Sequence, residues 1–288
     1  MRKVYLDTNV FDHMHKRLGV SNGDISALKA AKAKGSVSFL LSIPVFEEVF
    51  CAIKSDPVLG IRELLLVFEF ADWARVLKPA HLLVMDEIAS YAKGGPRPEP
   101  FLEEGNPVRK SLRALAFPTQ RDIDELMPIM DECRVQREEF RDGMRAARNE
   151  VLKSVKGLQG WKPSFVDYWG RLAEPFAEGY AERAGVLDAC RARGIAGLLD
   201  LRSVRMGVGV NLSLAYAETF EGRAPDMGDS RDQQHAVLAS TADVFVTQDA
   251  RLTALLSRVP MSGLQIMDLS AFLGTLIAGS SGQPGQIS

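Results

Sequence analysis

Residues 228–249 read GDSRDQQHAVLASTADVFVTQD, an acid-tipped helix that runs at once into a short apolar strand ending in another acid. Ala236, Val237, Ala239 and Ser240 form a small-residue face able to pack closely on a sheet, while Arg231, Gln233 and Gln234 are polar. Val244, Phe245, Val246 and Thr247 are β-branched or aromatic and uncharged, the composition of a strand covered on both faces. A crossover helix between parallel strands starts at the sheet edge where the previous strand finished, and the next strand returns to that edge. Asp232 at the helix start and Asp249 past the strand are therefore expected at one edge, where open α/β sheets place their sites. A purely structural reading competes with this one: Asp229 and Asp232 as an N-cap and its capping-box acid, and Asp249 as the opener of a turn.

The N-terminal third supplies more acids to that edge. Residues 2–6 form a short apolar strand that ends in Asp7-Thr8-Asn9, ahead of a helix from Val10 to about Leu18. Thr8 and Asn9 are short hydrogen-bonding side chains able to hold a carboxylate in place. A second helix is expected over 23–34, with Gly35 as its stop, then a strand over 37–42. The segment Ile43-Pro44-Val45-Phe46-Glu47-Glu48 opens a helix with proline near its first position, so Glu47 and Glu48 stand in its first turns. A helix over 56–70, a short strand over 75–78 and a helix over 79–92 follow, until Gly94-Gly95-Pro96-Arg97-Pro98-Glu99-Pro100 breaks the chain.

From Phe101 to about Glu221 no strand is expected. A long helix is read over 119–156, further helical chain over 165–193, and one or two helices over 195–220, interrupted around Gly207 and Gly209. This makes an all-α insertion, 94–221, within an α/β domain formed by 1–93 together with 222–278. After Asp249 a helix over 251–257, a strand over 264–267 and a helix over 269–277 complete the chain, and 279–288 reads as a disordered tail.

Composition narrows the class. With 288 residues, 46% hydrophobic and 25% charged, the balance is that of a soluble globular protein. No apolar run is long enough to span a membrane and no signal-peptide core opens the chain, so the expectation is cytoplasmic. Cys51, Cys133 and Cys190 are odd in number and far apart, which points to buried small hydrophobes instead of disulfides or a zinc ligand set. A net charge of -2 offers no global attraction to nucleic acid, so such a partner would need local basic patches or metal ions.

The LDTN of residues 6–9, the acid in the helix after the second strand, and DQQHAVLASTADVFVTQD at 232–249 together resemble the PIN-domain (VapC-like) ribonucleases. The resemblance covers about 1–93 and 222–278. It implies a three-layer α/β/α domain with a central, mainly parallel sheet, and a Mg²⁺ or Mn²⁺ site built from acids that map onto Asp7, Glu48, Asp232 and Asp249. Those residues would be both metal ligands and catalytic groups in a metal-dependent endoribonuclease that leaves a 5′-phosphate and a 3′-hydroxyl. Glu48 is preferred to Glu47 by its six-residue spacing from Ser42, with Asp229 as an outer or alternate ligand. Thr8, Asn9 and Thr247 resemble the small polar residues that orient the carboxylates. The implied partner is RNA; an antitoxin-like protein, as in toxin–antitoxin pairs, and a homodimer stay open.

Independently of the family, electrostatics requires such a cluster to bind a cation or hold protons. Two carboxylates about 5 Å apart repel by roughly 3 kcal/mol at an effective dielectric near 20, and a helix N-terminus returns only about 0.3–1 kcal/mol. Hard oxygen ligands suit Mg²⁺ or Mn²⁺ better than zinc. His235, one turn after Asp232, is read as packing or hydrogen bonding near the helix start in preference to lining the site. His13 and His15 are two apart and face different sides of their helix. Asn9 stands where haloacid-dehalogenase-like enzymes often carry a second Asp, which weakens a phosphatase reading of Asp7. The rival function is a non-catalytic PIN-like module that binds RNA or protein. Arg183, Arg191, Arg193, Arg202 and Arg205 outnumber Asp188 and Asp200 in their stretch, and are expected either beside the acidic edge as contacts for substrate phosphates or as the mixed-charge solvated face of a packing or dimerisation module.

Overall fold

The computed structural model describes residues 1–114, 162–226, 228–261 and 263–280, with scattered positions between 119 and 142. In chain order the strands are β1 (Arg2–Leu6), β2 (Val37–Leu41), β3 (Ala71–Val76), β4 (Val244–Val246) and β5 (Gln265–Met267). They form one parallel sheet in the order β3-β2-β1-β4-β5. The helices are α1 (Thr8–Lys16), α2 (Asn22–Ala33), α3 (Ile43–Ser55), α4 (Pro57–Phe70), α5 (Ala80–Lys93), α6 (Pro107–Ala114), α7 (Phe165–Arg183), α8 (Leu187–Arg193), α9 (Arg202–Phe220), α10 (Asp229–Ala239), α11 (Ala250–Leu256) and α12 (Leu269–Ser280). A 3₁₀ turn, Ile195–Asp200, joins α8 to α9.

Strand periodicity assigns the two cores. Side chains alternate across a strand, so Tyr5, Leu40 and Phe245 point to one face while Val4, Leu6, Phe39, Leu41, Val244 and Val246 point to the other. The first face carries α5 and α7–α11, the second α1–α4 and α12, giving three α/β/α layers. The three central strands are almost wholly buried, as uninterrupted apolar runs demand of a doubly covered parallel sheet. Residues such as Phe39 and Phe245 each contribute about 1.5–3 kcal/mol by leaving water.

Local signals fix where the helices begin. Asp7 caps α1 and Asp56 caps α4, whose Pro57 occupies the first turn. Ser21 and Asp24 form a reciprocal capping box on α2. α3 opens with Pro44 in its first turn, but the side chain of its N-cap, Ser42, accepts no bond from the helix N–H groups. The Ser42 hydroxyl is instead hydrogen-bonded to the Tyr5 hydroxyl at 2.8 Å, which ties the helix start to β1.

Three elements differ from the sequence reading. β3 begins at Ala71 and not near residue 75, because it leaves α4 without a loop; as a half-exposed edge strand it carries no continuous apolar run. The helical stretch over 165–193 divides into α7 and α8. α9 runs unbroken through Gly207 and Gly209, which act as points of close approach: a Cβ on Gly209 would lie 2.4 Å from Val259 Cγ1. Buried on nearly every side, α9 is a core helix. Tyr168, Ala177, Cys190, Val208 and Leu214 share one hydrophobic cluster with Tyr5, Leu40 and Phe245, so the helices of 165–220 lie directly over the sheet.

Among the described residues of 101–221 no strand occurs; Phe101 makes only an isolated bridge to Leu77. The expected helix over 119–156 falls largely outside the described residues, as do Cys133 and residues 281–288 of the expected tail, whose first two residues, Gly279 and Ser280, instead continue α12. Cys190 is buried and Cys51 half-buried, both as free thiols. No helix among the described residues is long and apolar enough to cross a membrane.

Candidate metal centre

β1 and β4 are adjacent and parallel, so Asp7 and Thr247 leave the sheet side by side. The Thr247 hydroxyl donates to Asp7 Oδ2 at 2.7 Å, and Asn9 Nδ2 donates to the same oxygen at 2.8 Å. The Thr8 main-chain N–H donates to Asp7 Oδ1 at 2.8 Å. Asn9 also accepts from the Gln248 N–H, and Asp249 N–H donates to Thr247 Oγ1, so the two strand tips are stitched together. The expected orienting roles of Asn9 and Thr247 are met by these bonds, and Thr8 contributes through its backbone.

Glu48 enters from the second turn of α3. Its Oε2 lies 3.2 Å from His235 Nε2, which is 3.8 Å from Asp7 Oδ1. Asp7, Glu48 and His235 each present a ligand atom, and these atoms lie within 4.8 Å of one another. Glu47 is not part of this group. The other ring nitrogen of His235 is hydrogen-bonded to the Tyr5 hydroxyl at 2.7 Å, continuing the link from Ser42. His235 therefore does both things weighed in the sequence: it is buried and hydrogen-bonded, and it faces the acids. Its three-residue spacing from Asp232 on one helix face was the signal for the second role.

The structure brings Asp7 and Glu48 together, while Asp232 and Asp249 form a neighbouring group around Arg251. Arg251 Nη2 lies 2.7 Å from Asp232 Oδ2 and 3.9 Å from Asp249 Oδ2. Asp249 also caps α11 through the Leu252 N–H. Asp229 is not the N-cap of α10; that position is Gly228, which makes no side-chain cap bond. Almost fully buried, the Asp229 carboxylate instead accepts from both terminal nitrogens of Arg223 and from the Asp226 N–H. Arg231 reaches Glu48 Oε1 at 3.3 Å. Arg223, Arg231 and Arg251 went unnoticed in the sequence as partners of these acids, and only the closeness of Arg251 to Asp249 hinted at one.

Burial and charge set the protonation states. Burial raises the Asp7 pKa above the usual carboxylate range, against the pull of His235 and Thr247. Burial alone would raise Glu48 too, but His235, Thr8 and Arg231 together hold it down to about 2. The same encounter reverses the effect of burial on His235, which Glu48 and Asp7 lift to about 9. Asp232 is pushed up to about 7 by burial, and the charges of Asp249 and Asp229 raise it further against the pull of Arg251.

The basic stretch does not sit at this edge. Arg202 Nη2 donates to the Ala242 carbonyl, just before β4, so α9 starts at the opposite edge and runs back across the sheet face to the acids. Arg193, Arg202 and Arg205 accordingly lie at the far end, Arg191 pairs with Glu178 at 3.2 Å, and Arg183 lies over the Tyr180 ring. What reaches the acidic edge is the other end of α9, through the Arg223–Asp229 pair.

In comparisons with family models, curated proteins and solved structures, nothing matches this chain.

Proposed function

We propose that this chain is a metal-dependent endoribonuclease acting at the Asp7–Glu48–His235 centre, with Asp232 and Asp249 flanking it. The observation that carries the reading is the convergence of three ligand atoms within 4.8 Å at the carboxyl edge of a parallel sheet. Two carboxylate oxygens and one imidazole nitrogen fit Mn²⁺ well and Mg²⁺ acceptably. When bound, such an ion supplies Lewis acidity and a bound water acidic enough to attack a phosphodiester near neutral pH. The chain's own part is orientation. Asn9, Thr247 and the Thr8 N–H aim Asp7, Tyr5 fixes the His235 ring, and half-exposed Arg251 is placed to meet a phosphate oxygen.

The deciding experiment incubates the purified full chain with labelled RNAs under Mn²⁺ or Mg²⁺, with EDTA and Asp7→Asn as controls. Cleavage to 5′-phosphate and 3′-hydroxyl ends, abolished by either control, supports the proposal. Cleavage that persists in Asp7→Asn, or none with any ion, overturns it.

One observation favours a second reading, a non-catalytic module that binds RNA or protein. The five carboxylates of Asp7, Glu48, Asp229, Asp232 and Asp249 already face Arg223, Arg231, Arg251 and His235, which balance most of their charge. RNA bound without metal-dependent cleavage would favour it.

A further inference from the structure

A cavity of about 120 Å³ opens at the sheet edge opposite the acids, between the end of α5, the 94–98 turn and the start of α9. Three guanidiniums, those of Arg97, Arg193 and Arg202, line it together with Glu87, Tyr91 and Asp200. Both carboxylates are already engaged. Glu87, almost fully buried, takes Arg97 Nε on one oxygen at 2.6 Å and the Ser203 N–H and hydroxyl on the other. Asp200 sits on the rim, 3.4 Å from Arg205 Nη2.

Arg193 and Arg202 are not matched in this way. Neither forms an ion pair with a carboxylate among the described residues. Arg202 spends Nη2 on the Ala242 carbonyl at 3.1 Å, and its Nε is shut off from water without any partner. Burial and the charge of nearby Arg97 press its pKa downward and outweigh the opposing pull of Asp243 and Glu87, neither of which contacts its guanidinium. Arg193 Cζ stands over the Tyr91 ring, 5.1 Å from its centroid, while the Tyr91 hydroxyl donates to the Gly194 carbonyl at 2.7 Å. Gly94 makes that placement available. Its φ of +70° ends α5, and a Cβ there would stand 2.6 Å from Arg193 Nη1. A part-buried guanidinium with an unpartnered Nε and an exposed one standing over Tyr91 therefore face one small concavity, an arrangement that an oxyanion would complete.

We propose that this cavity binds a phosphate group, held by Arg193 and Arg202 with Arg97 at its mouth. Guanidinium forks match the oxygens of a tetrahedral oxyanion, and the volume admits one such group but not a nucleobase beside it. α9 separates the pocket from the acids by its full length, about 28 Å at 1.5 Å per residue. The inference therefore stands independently of the nuclease reading. The phosphate has two chemical sources, a small phosphate or phosphate monoester in solution, or the terminal phosphate of a nucleic-acid strand.

The test is calorimetric titration of the full chain with inorganic phosphate at constant ionic strength, comparing wild type with Arg193→Gln/Arg202→Gln. Saturable binding below about 1 mM, weakened at least about tenfold in the double variant, is expected. Arg191→Gln, which touches only Glu178 outside the cavity, should bind like wild type. If the double variant fails to fold by circular dichroism, Arg193→Gln alone serves, because its side chain lies at the surface. No saturable binding by wild type, or equal binding by the variants, overturns the proposal. Competition then identifies the source: displacement of phosphate by a 5′-phosphorylated oligonucleotide and not by its 5′-hydroxyl form assigns the pocket to strand ends, and displacement by neither assigns it to small phosphates.

Discussion

Nε2 of His235 lies 3.2 Å from Oε2 of Glu48 at the sheet edge, the imidazole buried and the carboxylate only partly so. The imidazolium is favoured in the folded state, its pKa lifted from 6.5 to about 9 by Glu48 and Asp7 in spite of burial. The stability this gives is fully present below pH 6.5 and is lost as pH rises through about 9. Free of divalent ions, the wild type should lose on the order of 3 kcal/mol across that window. His235→Gln should show a much flatter profile. Urea unfolding in EDTA at pH 6 and pH 9 checks this, and parallel losses in the two proteins would sink it.

Asp232 carries the opposite kind of group in the same direction of shift. Its folded-state pKa, raised from 3.8 to about 7, means that the folded protein keeps a proton the unfolded chain gives up. Wild-type stability should fall as pH rises from about 4 to 7, and Asp232→Asn should escape that fall. In EDTA at pH 8 the variant is expected to be more stable by about 1–2 kcal/mol, after allowance for its lost ion pair with Arg251. Metal-dependent cleavage should drop in the same variant. A stability gap that narrows with rising pH would contradict the assignment.

Gly209 offers a test of packing alone. Alanine there gains about 1 kcal/mol of helix propensity, yet its methyl would press into Val259 at 2.4 Å, and overpacking of this sort costs about 1–3 kcal/mol. The net expectation is destabilisation, larger than for Gly207→Ala, whose nearest neighbour is the Tyr180 hydroxyl at 3.1 Å. Thermal unfolding of the two variants decides the order, and a stabilised Gly209→Ala would refute the close-contact account.

Strands β1, β2 and β4 were legible because a doubly covered strand is written as an unbroken apolar run. Asp7 and the pair Glu47 and Glu48 were legible at that edge for a related reason, since a strand end and a proline-led helix start fix an edge without knowledge of contacts, whereas the choice of Glu48 within the pair came from the family resemblance. The encounter of His235 with Tyr5 and Glu48 was not, since it joins positions 230 and 187 residues apart that follow no local period. The same holds for Arg223 and Arg251, charged residues whose partners lie on other elements. α9 misled because glycine signals a break and a close contact with the same letter, and only the presence of Val259 and Tyr180 distinguishes them.

The pairing of Val4 with Val244 carries a consequence for the order in which the molecule comes into being. The first strand synthesised is the middle of the sheet, and one of its two neighbours is made 240 residues later. At about 5–20 residues per second a growing chain spends on the order of ten seconds or more with β1 open on that side. Asp7 spends the same interval without Thr247 to hold it and without His235 opposite. The acidic centre therefore cannot assemble until the chain through Thr247 has been made and has left the ribosome.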